Sequence, residues 1–309
     1  MPAMPRVLLL ALVCFAFCSF WMRAQVTQES ATVSRVQHAL ELAHKRRCDE
    51  ALPILTESAP QLSDKDLKYR VLMATEHCAM HQGDGRATVN ALLALRHEYP
   101  KDPEVLYLTT QVFLEIAERA SRELADVAPN SYQVKELQAE TLESQNKWEE
   151  AAVIYRQILE ENPKLPAIHF RLGRSLLSQP ETPANVEAAR KEFERELTID
   201  PANASAEFWI GEIARRNGQW DTAITHLKAA AELDSKLSEA ALALGMALNS
   251  AERFSEAVDP LERYTKIAPR DSTGHYQLGI TYAHLGRKED SLREKALVQQ
   301  LSGPPTNVH

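Results

Sequence analysis

The sequence has little glycine, few aromatic residues and few β-branched residues. Its 309 residues include 10 glycines, and aromatic residues make up 6%. Ala, Leu and Glu dominate instead, and these residues favour helices. Hydrophobic residues at 44% and charged residues at 25% are the proportions of a folded domain, which excludes a largely disordered chain. The composition therefore predicts an all-α globular protein.

Positive charge is also in deficit. The chain has 35 Lys and Arg against 43 Asp and Glu, so its net charge is −8 and its isoelectric point is near 5.7. Because a nucleic-acid-binding domain carries a basic stripe, nucleic acid is excluded as a partner. A net charge of this size instead helps to keep an extended surface soluble.

The common signatures of catalysis are missing as well. The sequence contains no phosphate-binding glycine loop, no nucleophile elbow and no His-Glu-x-x-His helix. His77, His81 and His97 are scattered and fit solvated or helix-capping roles. We therefore predict no enzymatic activity and no cofactor. An enzyme site in the irregular region 25–130 is the remaining alternative.

Only the N-terminus carries a long hydrophobic run. Arg6 precedes the apolar stretch Val7–Met22, which has the length of a signal-peptide core and is short for a membrane-spanning helix. We predict that residues 1–24 are a signal peptide or an N-terminal anchor, and that the chain is exported to the periplasm or the extracellular space. Met22 is a poor residue three positions before a cut after Ala24. An uncleaved anchor, which is the only expected link to a membrane, therefore stays open.

What the sequence does contain is a recurring pattern, best seen in Ala204–Leu237. A first helix carries Gly211, a turn follows at Asn217-Gly218, and a second helix places Ala223 and Leu227 on one face. Glycine costs a helix about 1 kcal/mol relative to alanine. We therefore expect Gly211 to permit a close helix contact, with Ala223 as its neighbour. Equivalent glycines recur at spacings of 38, 34 and 34 residues: Gly173, Gly211, Gly245 and Gly279.

This period of 34 residues resembles the tetratricopeptide repeat. The resemblance is strong over 132–301 and weak over 33–130. It implies an all-α, right-handed superhelical solenoid of stacked antiparallel helix pairs, in which the first helix of each pair lines a concave groove. We accordingly divide the chain into diverged tetratricopeptide-like helical repeats over 25–130, an array of about five repeats over 131–303, and a disordered tail over 304–309.

Three places depart from the regular pattern. The turn at 178–187 is four residues longer than the others and is expected at one edge of the solenoid. Over 103–130 the turn between helices is missing, and Leu106 and Phe113 are among the periodic positions. In the last repeat, Ser291 and Lys295 stand where earlier repeats have apolar residues. Such a polar replacement is typical of a terminal repeat that faces water.

Two cysteines remain outside the N-terminal segment, Cys48 and Cys78. In an oxidising compartment an even count favours a disulfide, and both residues are expected near the same end of adjacent helices. Alternatively Cys48 is a small hydrophobe, since later repeats place Trp or Phe at its position. A zinc site is a further alternative, because His44 and His81 lie four and three residues from the two cysteines. We predict the disulfide and no metal.

The groove implied by the resemblance is the candidate partner site. In the family register, positions five and nine of each first helix face the concave side, and position twelve adds further residues. We predict that Phe170, Phe208 and Tyr276 contact apolar side chains of a partner, while Arg174 and Arg215 fix its orientation. Phe170 and Phe208 could instead pack between neighbouring first helices. The candidate partner-binding set is Phe170, Arg174, Phe208, Glu212, Arg215, Met246 and Tyr276.

Tetratricopeptide proteins are mostly scaffolds, so the resemblance implies a non-enzymatic, exported scaffold that binds a peptide or helix of a partner protein. The Lys and Asn residues with which some members grip chaperone C-termini are absent from these positions. The alternative function is a structural subunit of a cell-envelope assembly that uses edges and convex surfaces. The sequence leaves the oligomeric state open.

Overall fold

The computed structural model describes residues 31–302, and every regular element in that range is a helix. The predicted signal or anchor at 1–24 and the predicted tail at 304–309 lie outside the described residues. Two compact units divide the chain, Met1–Glu123 and Leu124–His309. Among residues 31–302, none of the helices has the length and apolar character needed to cross a membrane.

The first unit contains α1 (31–44), α2 (Cys48–Ser58), a short 3-10 helix (Ala59–Gln61), α3 (Lys65–Gln82) and α4 (Gly85–Glu98). Small and large apolar residues from these helices interlock in one core, which includes Ala39, Ala51, Leu55, Val71 and Leu95. Asp64 and Asp84 begin α3 and α4 by accepting backbone N–H bonds, as N-terminal caps do.

A disulfide between Cys48 and Cys78 joins α2 to α3, with the two Cα atoms 5.0 Å apart. Both cysteines are buried, and the sulfur atoms are bonded to each other rather than free to hold zinc with His44 and His81. The bond links positions 30 residues apart. A loop of that length favours the folded state by restricting the unfolded chain.

Residues 103–127, where the sequence lacks a turn, form one helix, α5 (Pro103–Val127). The buried residues on α5 are Val105 and Val112, whereas Leu106 and Phe113 are 43% and 49% exposed. The buried positions of α5 therefore each precede an expected one, Leu106 or Phe113, by one residue. Valines spaced two turns apart lie on the same helix face, and that face packs inward.

The second unit holds five helix pairs in chain order. They are α6 (Tyr132–Ser144) with α7 (Trp148–Glu161), α8 (Ile168–Leu177) with α9 (Pro183–Ile199), α10 (Ala204–Arg216) with α11 (Trp220–Leu233), α12 (Ser238–Ser250) with α13 (Phe254–Ile267), and α14 (Ser272–His284) with α15 (Lys288–Ser302). Each helix packs on its partner, and the second helix of each of the first four pairs packs on the first helix of the next pair.

Glycine permits the close contact inside three of these pairs, but not with the expected neighbour. A Cβ atom on Gly211 would lie 2.7 Å from Leu227 Cγ, so the close contact is with Leu227 rather than with Ala223. Gly173 meets Phe193 and Gly245 meets Leu261 in the same way. The prediction of Ala223 was wrong because Leu227, one turn further along α11, reaches across to Gly211 with its branched end.

Candidate partner-binding surface

The candidate surface is formed by the first helices of the second unit, α6, α8, α10, α12 and α14. We call it the first-helix face and define it by repeat positions five, nine and twelve, counted from the first residue of each helix except in α8, where the repeat begins at Pro166. Its members are Glu136, Glu140, Glu143, Phe170, Arg174, Leu177, Phe208, Glu212, Arg215, Leu242, Met246, Asn249, Tyr276, Ile280 and Ala283.

Side-chain contacts hold successive first helices next to each other. Ser175 Oγ on α8 donates a 2.8 Å hydrogen bond to Glu143 Oε1 on α6. Thr281 Oγ1 on α14 donates a 2.8 Å bond to Asn249 Oδ1 on α12, and Asn249 Nδ2 donates to the Gln277 carbonyl oxygen at 3.2 Å. Neighbouring first helices therefore lie side by side at these two places, and Asn249 is already hydrogen-bonded to α14.

The apolar members of the face are partly exposed to different extents. Tyr276 is 56% exposed, whereas Phe170, Phe208 and Met246 are half-buried. The Phe170 ring lies 5.7 Å from that of Phe193 in the core, and the Phe208 ring meets Trp209 edge-on at 5.3 Å. Tyr276 is thus the most available aromatic side chain of the predicted set.

Most charged members already have partners within the chain. Arg171 on α8 contacts both Glu136 and Glu140 on α6, at 3.2 and 2.7 Å. Arg215 binds Glu212 through two nitrogen atoms at 2.7 and 2.8 Å. A partner that recruited Arg215 would therefore have to compete with a carboxylate that the chain itself supplies.

Glu212 also contacts Arg216, at 3.0 Å. Burial opposes the ionisation of Glu212, but hydrogen bonds from Arg215 and Arg216 outweigh burial and hold the pKa of this carboxyl below its usual range. Arg174 differs from these arginines. It is exposed, and it forms no ion pair with any described residue. Of the two arginines predicted to fix the orientation of a partner, Arg174 is therefore the more available.

Polar pairs between the two helices of a repeat were not predicted. His169 Nδ1 donates to Glu192 at 2.6 Å, and His275 Nδ1 donates to Glu294 at 2.6 Å. The middle repeat reverses the order, with Glu207 on the first helix and His226 on the second. In all three repeats the paired side chains stand at repeat positions four and twenty-three, when the four extra residues of the α8–α9 turn are not counted. This recurrence in the sequence could have identified the pairs.

Sequence reasoning also missed a cavity of about 470 Å³ beside the long α8–α9 turn. Trp209 and Ile213 on α10 line it, together with Arg174 from the first-helix face. The longer turn was the available signal, but the sequence does not show that the turn leaves a cavity behind it. Within residues 31–302, no three His, Cys, Asp or Glu side chains are gathered as metal ligands.

Comparisons with known proteins agree with this architecture. The family model described as tetratricopeptide repeat matches residues 136–204, 184–238 and 210–272. No curated protein matches the sequence. Among solved structures, YrrB, "a TPR protein with an unusual peptide-binding site", is 21% identical, with a TM-score of 0.52, and the match covers 59% of this chain and 92% of YrrB.

Two MamA structures are also similar. One crystal structure of MamA is 16% identical with a TM-score of 0.50, covering 55% of this chain and 91% of MamA. A MamA double mutant, RS-1 ArsTM, is 16% identical with a TM-score of 0.51, covering 56% of this chain and 94% of the mutant. Likeness at these identities concerns the fold. The repeat period, the stacked helix pairs and the family match agree: residues 136–272 of this chain form an all-α array of tetratricopeptide repeats.

Proposed function

We propose that this protein is an exported, non-enzymatic scaffold that binds a peptide segment or a helix of a partner protein on the first-helix face. One observation carries the proposal: four consecutive first helices each present at least one partly exposed apolar side chain on that face. They are Phe170 on α8, Phe208 on α10, Leu242 and Met246 on α12, and Tyr276 and Ile280 on α14.

The side chains of the first-helix face suit an extended or helical protein segment. Aromatic and arginine side chains are the residue types most enriched among binding hot spots. Tyr276 supplies an exposed aromatic ring, and Arg174 supplies a cation that forms no ion pair among residues 31–302. YrrB shares the fold and has a peptide-binding site, which supports a peptide as the partner class by analogy of fold alone.

Export is part of the proposal and rests on two features. The apolar segment Val7–Met22 behind Arg6 has the pattern of a signal peptide. The Cys48–Cys78 bond lies in the folded part of the chain, and disulfides persist mainly in oxidising compartments. Fractionation of host cells that express the chain with and without residues 1–24 tests this part. Equal cytoplasmic recovery of both forms would contradict export.

Site-specific photo-crosslinking in the native host tests the binding surface. A benzophenone amino acid replaces Tyr276, and the matched control carries it at Tyr107 on α5, which is 67% exposed. We expect position 276 to capture a defined protein, through one contiguous segment that mass spectrometry locates. Position 107 should not capture that segment. Capture of the same segment at both positions, or of none at 276, contradicts the proposal.

A further inference from the structure

The cavity beside the α8–α9 turn is lined by apolar side chains and by polar and charged ones. Leu176 and Leu177 close α8 on one side, Val186 projects from α9, and Trp209 and Ile213 face them from α10. Its volume of about 470 Å³ lies within the range of about 300–1,000 Å³ that is typical of ligand pockets. The apolar part of this lining suits a large hydrophobic group.

The pocket exists because this turn is longer than its equivalents. Residues 178–182 join α8 to α9, whereas three residues join the helices of each other pair in the second unit, as at 217–219 and 251–253. Hydrogen bonds hold the longer turn in place. Asn185 N–H donates to Thr182 Oγ1 at 3.1 Å, and Asn185 Nδ2 donates to the Pro180 carbonyl oxygen at 3.1 Å. The wall is therefore preformed.

The charges around the pocket divide into satisfied and unsatisfied groups. Arg190 is paired with Glu187 and with Glu194, and Arg216 is paired with Glu212. Two charged side chains of the lining form no ion pair among residues 31–302. One precedes Leu177 in the sequence and the other follows it. They are Arg174 on α8 and Glu181 in the turn, and both are exposed.

We propose that this pocket receives one large apolar side chain, aromatic or leucine, of the bound protein segment. An acidic neighbour of that side chain pairs with Arg174, and a basic neighbour pairs with Glu181. The two opposite charges give the segment a fixed direction. The inference rests on the proposed function, because the pocket and the first-helix face share Arg174 and Glu212 and so form one continuous surface.

A peptide is the occupant that this geometry favours. Burying one large side chain beside Trp209 removes much apolar surface from water, and aromatic side chains dominate the energetics of such contacts. The lining combines two unpaired charges of opposite sign with apolar side chains, and consecutive residues of one chain could match both features. The resulting specificity is for an acidic, a large apolar and a basic residue, in one order only.

The test starts from random twelve-residue peptides displayed on phage and selected on the full-length protein. Enriched sequences are synthesised with a fluorescein label, and their dissociation constants are measured by fluorescence anisotropy. The blocking variant is Ser178→Trp, since Ser178 is exposed and lines the pocket. Its matched control is Ser250→Trp, at the equivalent exposed position of α12, outside the pocket.

Charge variants test the charged part of the lining separately. Arg174→Glu and Glu181→Lys reverse the two unpaired charges, and Arg270→Glu, at an exposed arginine outside the pocket, is the control. We expect the enriched peptides to combine acidic, large apolar and basic residues. Their affinity should fall at least tenfold in Ser178→Trp and Arg174→Glu, and a peptide with the acidic residue changed to lysine should recover affinity for Arg174→Glu.

The outcomes separate this inference from the proposed function. Peptides that bind the wild-type protein, lose affinity in Tyr276→Ala and keep it in Ser178→Trp and Arg174→Glu would overturn the pocket assignment and leave the first-helix face standing. Failure to enrich any peptide that binds the wild-type protein would overturn both. Equal losses in Ser178→Trp and Ser250→Trp would also reject the pocket, because the effect would not be local.

Discussion

His169 and Glu192 form a buried pair across one repeat, with Nδ1 2.6 Å from Oε2. The second ring nitrogen lies 3.1 Å from the carbonyl oxygen of Pro163, at the end of the preceding repeat. Since both partners are acceptors, both bonds form at once only when the imidazole carries two protons. His275 repeats the arrangement with Glu294 and Pro269. The contacts of these two rings therefore link helix pairing to repeat stacking.

The His169 pair predicts a pH dependence of stability. Burial works against the charged ring, but the bonds to Glu192 and to the Pro163 carbonyl outweigh it and raise the pKa of His169 above its usual value. A raised folded-state pKa gives stability that is fully present below the ordinary value near 6.5. That stability is lost as pH rises through the folded pKa.

We therefore expect the free energy of unfolding of the wild-type protein in urea to fall as the pH rises above about 6.5. The fall should be smaller in His169→Gln, which cannot gain a proton. Loss of this charged hydrogen bond should cost about 1.5–3 kcal/mol at pH 6. An identical pH slope in wild type and variant would contradict this account of the pair.

At Glu76, in contrast to His169, we expect a substitution to stabilise the protein. It is 5% exposed on α3, and burial, with a smaller contribution from Glu115, raises its pKa to about 7. Between about pH 4.5 and pH 7, the Glu76 carboxyl is ionised in the unfolded chain but still protonated in the folded chain. The free energy of unfolding therefore falls as the pH rises through this range.

Glu76→Gln should therefore stabilise the protein at pH 8 by roughly 2–3 kcal/mol, since each pKa unit corresponds to about 1.4 kcal/mol. The gain should vanish near pH 4, where Glu76 is protonated in both the folded and the unfolded wild-type chain. Urea unfolding at the two pH values measures it. A variant less stable than wild type at pH 8 would show that the ionised carboxylate has a partner.

The disulfide predicts a thiol count. Protein isolated from its native compartment should have no reactive thiol at Cys48 or Cys78, even when denatured. Reduction should lower its free energy of unfolding by about 3–4 kcal/mol on the chain-entropy description. Alkylation followed by mass spectrometry measures the first quantity. Two alkylated cysteines without prior reduction would contradict the prediction.

Close packing at the repeat glycines predicts graded costs. A Cβ on Gly245 would lie 2.4 Å from Leu261 Cγ, whereas on Gly279 the nearest atom outside its own helix is Glu294 Cβ at 3.3 Å. Gly245→Ala should therefore destabilise the protein by about 1–3 kcal/mol, as overpacking does. Gly279→Ala, its control at the same position of the last repeat, should cost less. Equal thermal shifts for both would argue against the packing explanation.

The sequence predicted the helix pairs well where residues repeat with a fixed period. The positions of Gly173, Gly211 and Gly245 indicated close contacts, but the identity of the neighbour depends on the crossing of two helices, which spacing does not determine. On α5 the apolar pattern allowed two neighbouring registers, and burial of Val105 and Val112 selected one. Local periodicity therefore predicts elements better than it predicts their contacts.

The candidate surface was less predictable from the sequence. Arg215 and Glu212 are three residues apart, so their pairing could have been anticipated from helix geometry. The cavity at Trp209 could not, because it depends on the path of the turn at 178–182. Partner contacts at Phe170, Phe208 and Tyr276 stay a prediction.

Phe208 separates a core role from a binding role. It is half-buried and packs against the apolar core formed by α10 to α14. If it is core, Phe208→Ala should cost about 3–5 kcal/mol of folding stability. If it is a binding anchor, the cost in stability should be far smaller and partner affinity should fall. Thermal unfolding and a binding assay on the same sample decide between the two.

The most direct test of the central claim is the dissociation constant of Tyr276→Ala for the segment crosslinked at that position. Tyr276 is 56% exposed, so its truncation should leave the unfolding temperature almost unchanged. Truncating a binding anchor costs about 2 kcal/mol or more, so we expect affinity to fall roughly thirtyfold. Tyr107→Ala should bind as the wild-type protein does. An unchanged dissociation constant in a well-folded Tyr276→Ala variant would contradict the claim that the first-helix face binds the partner.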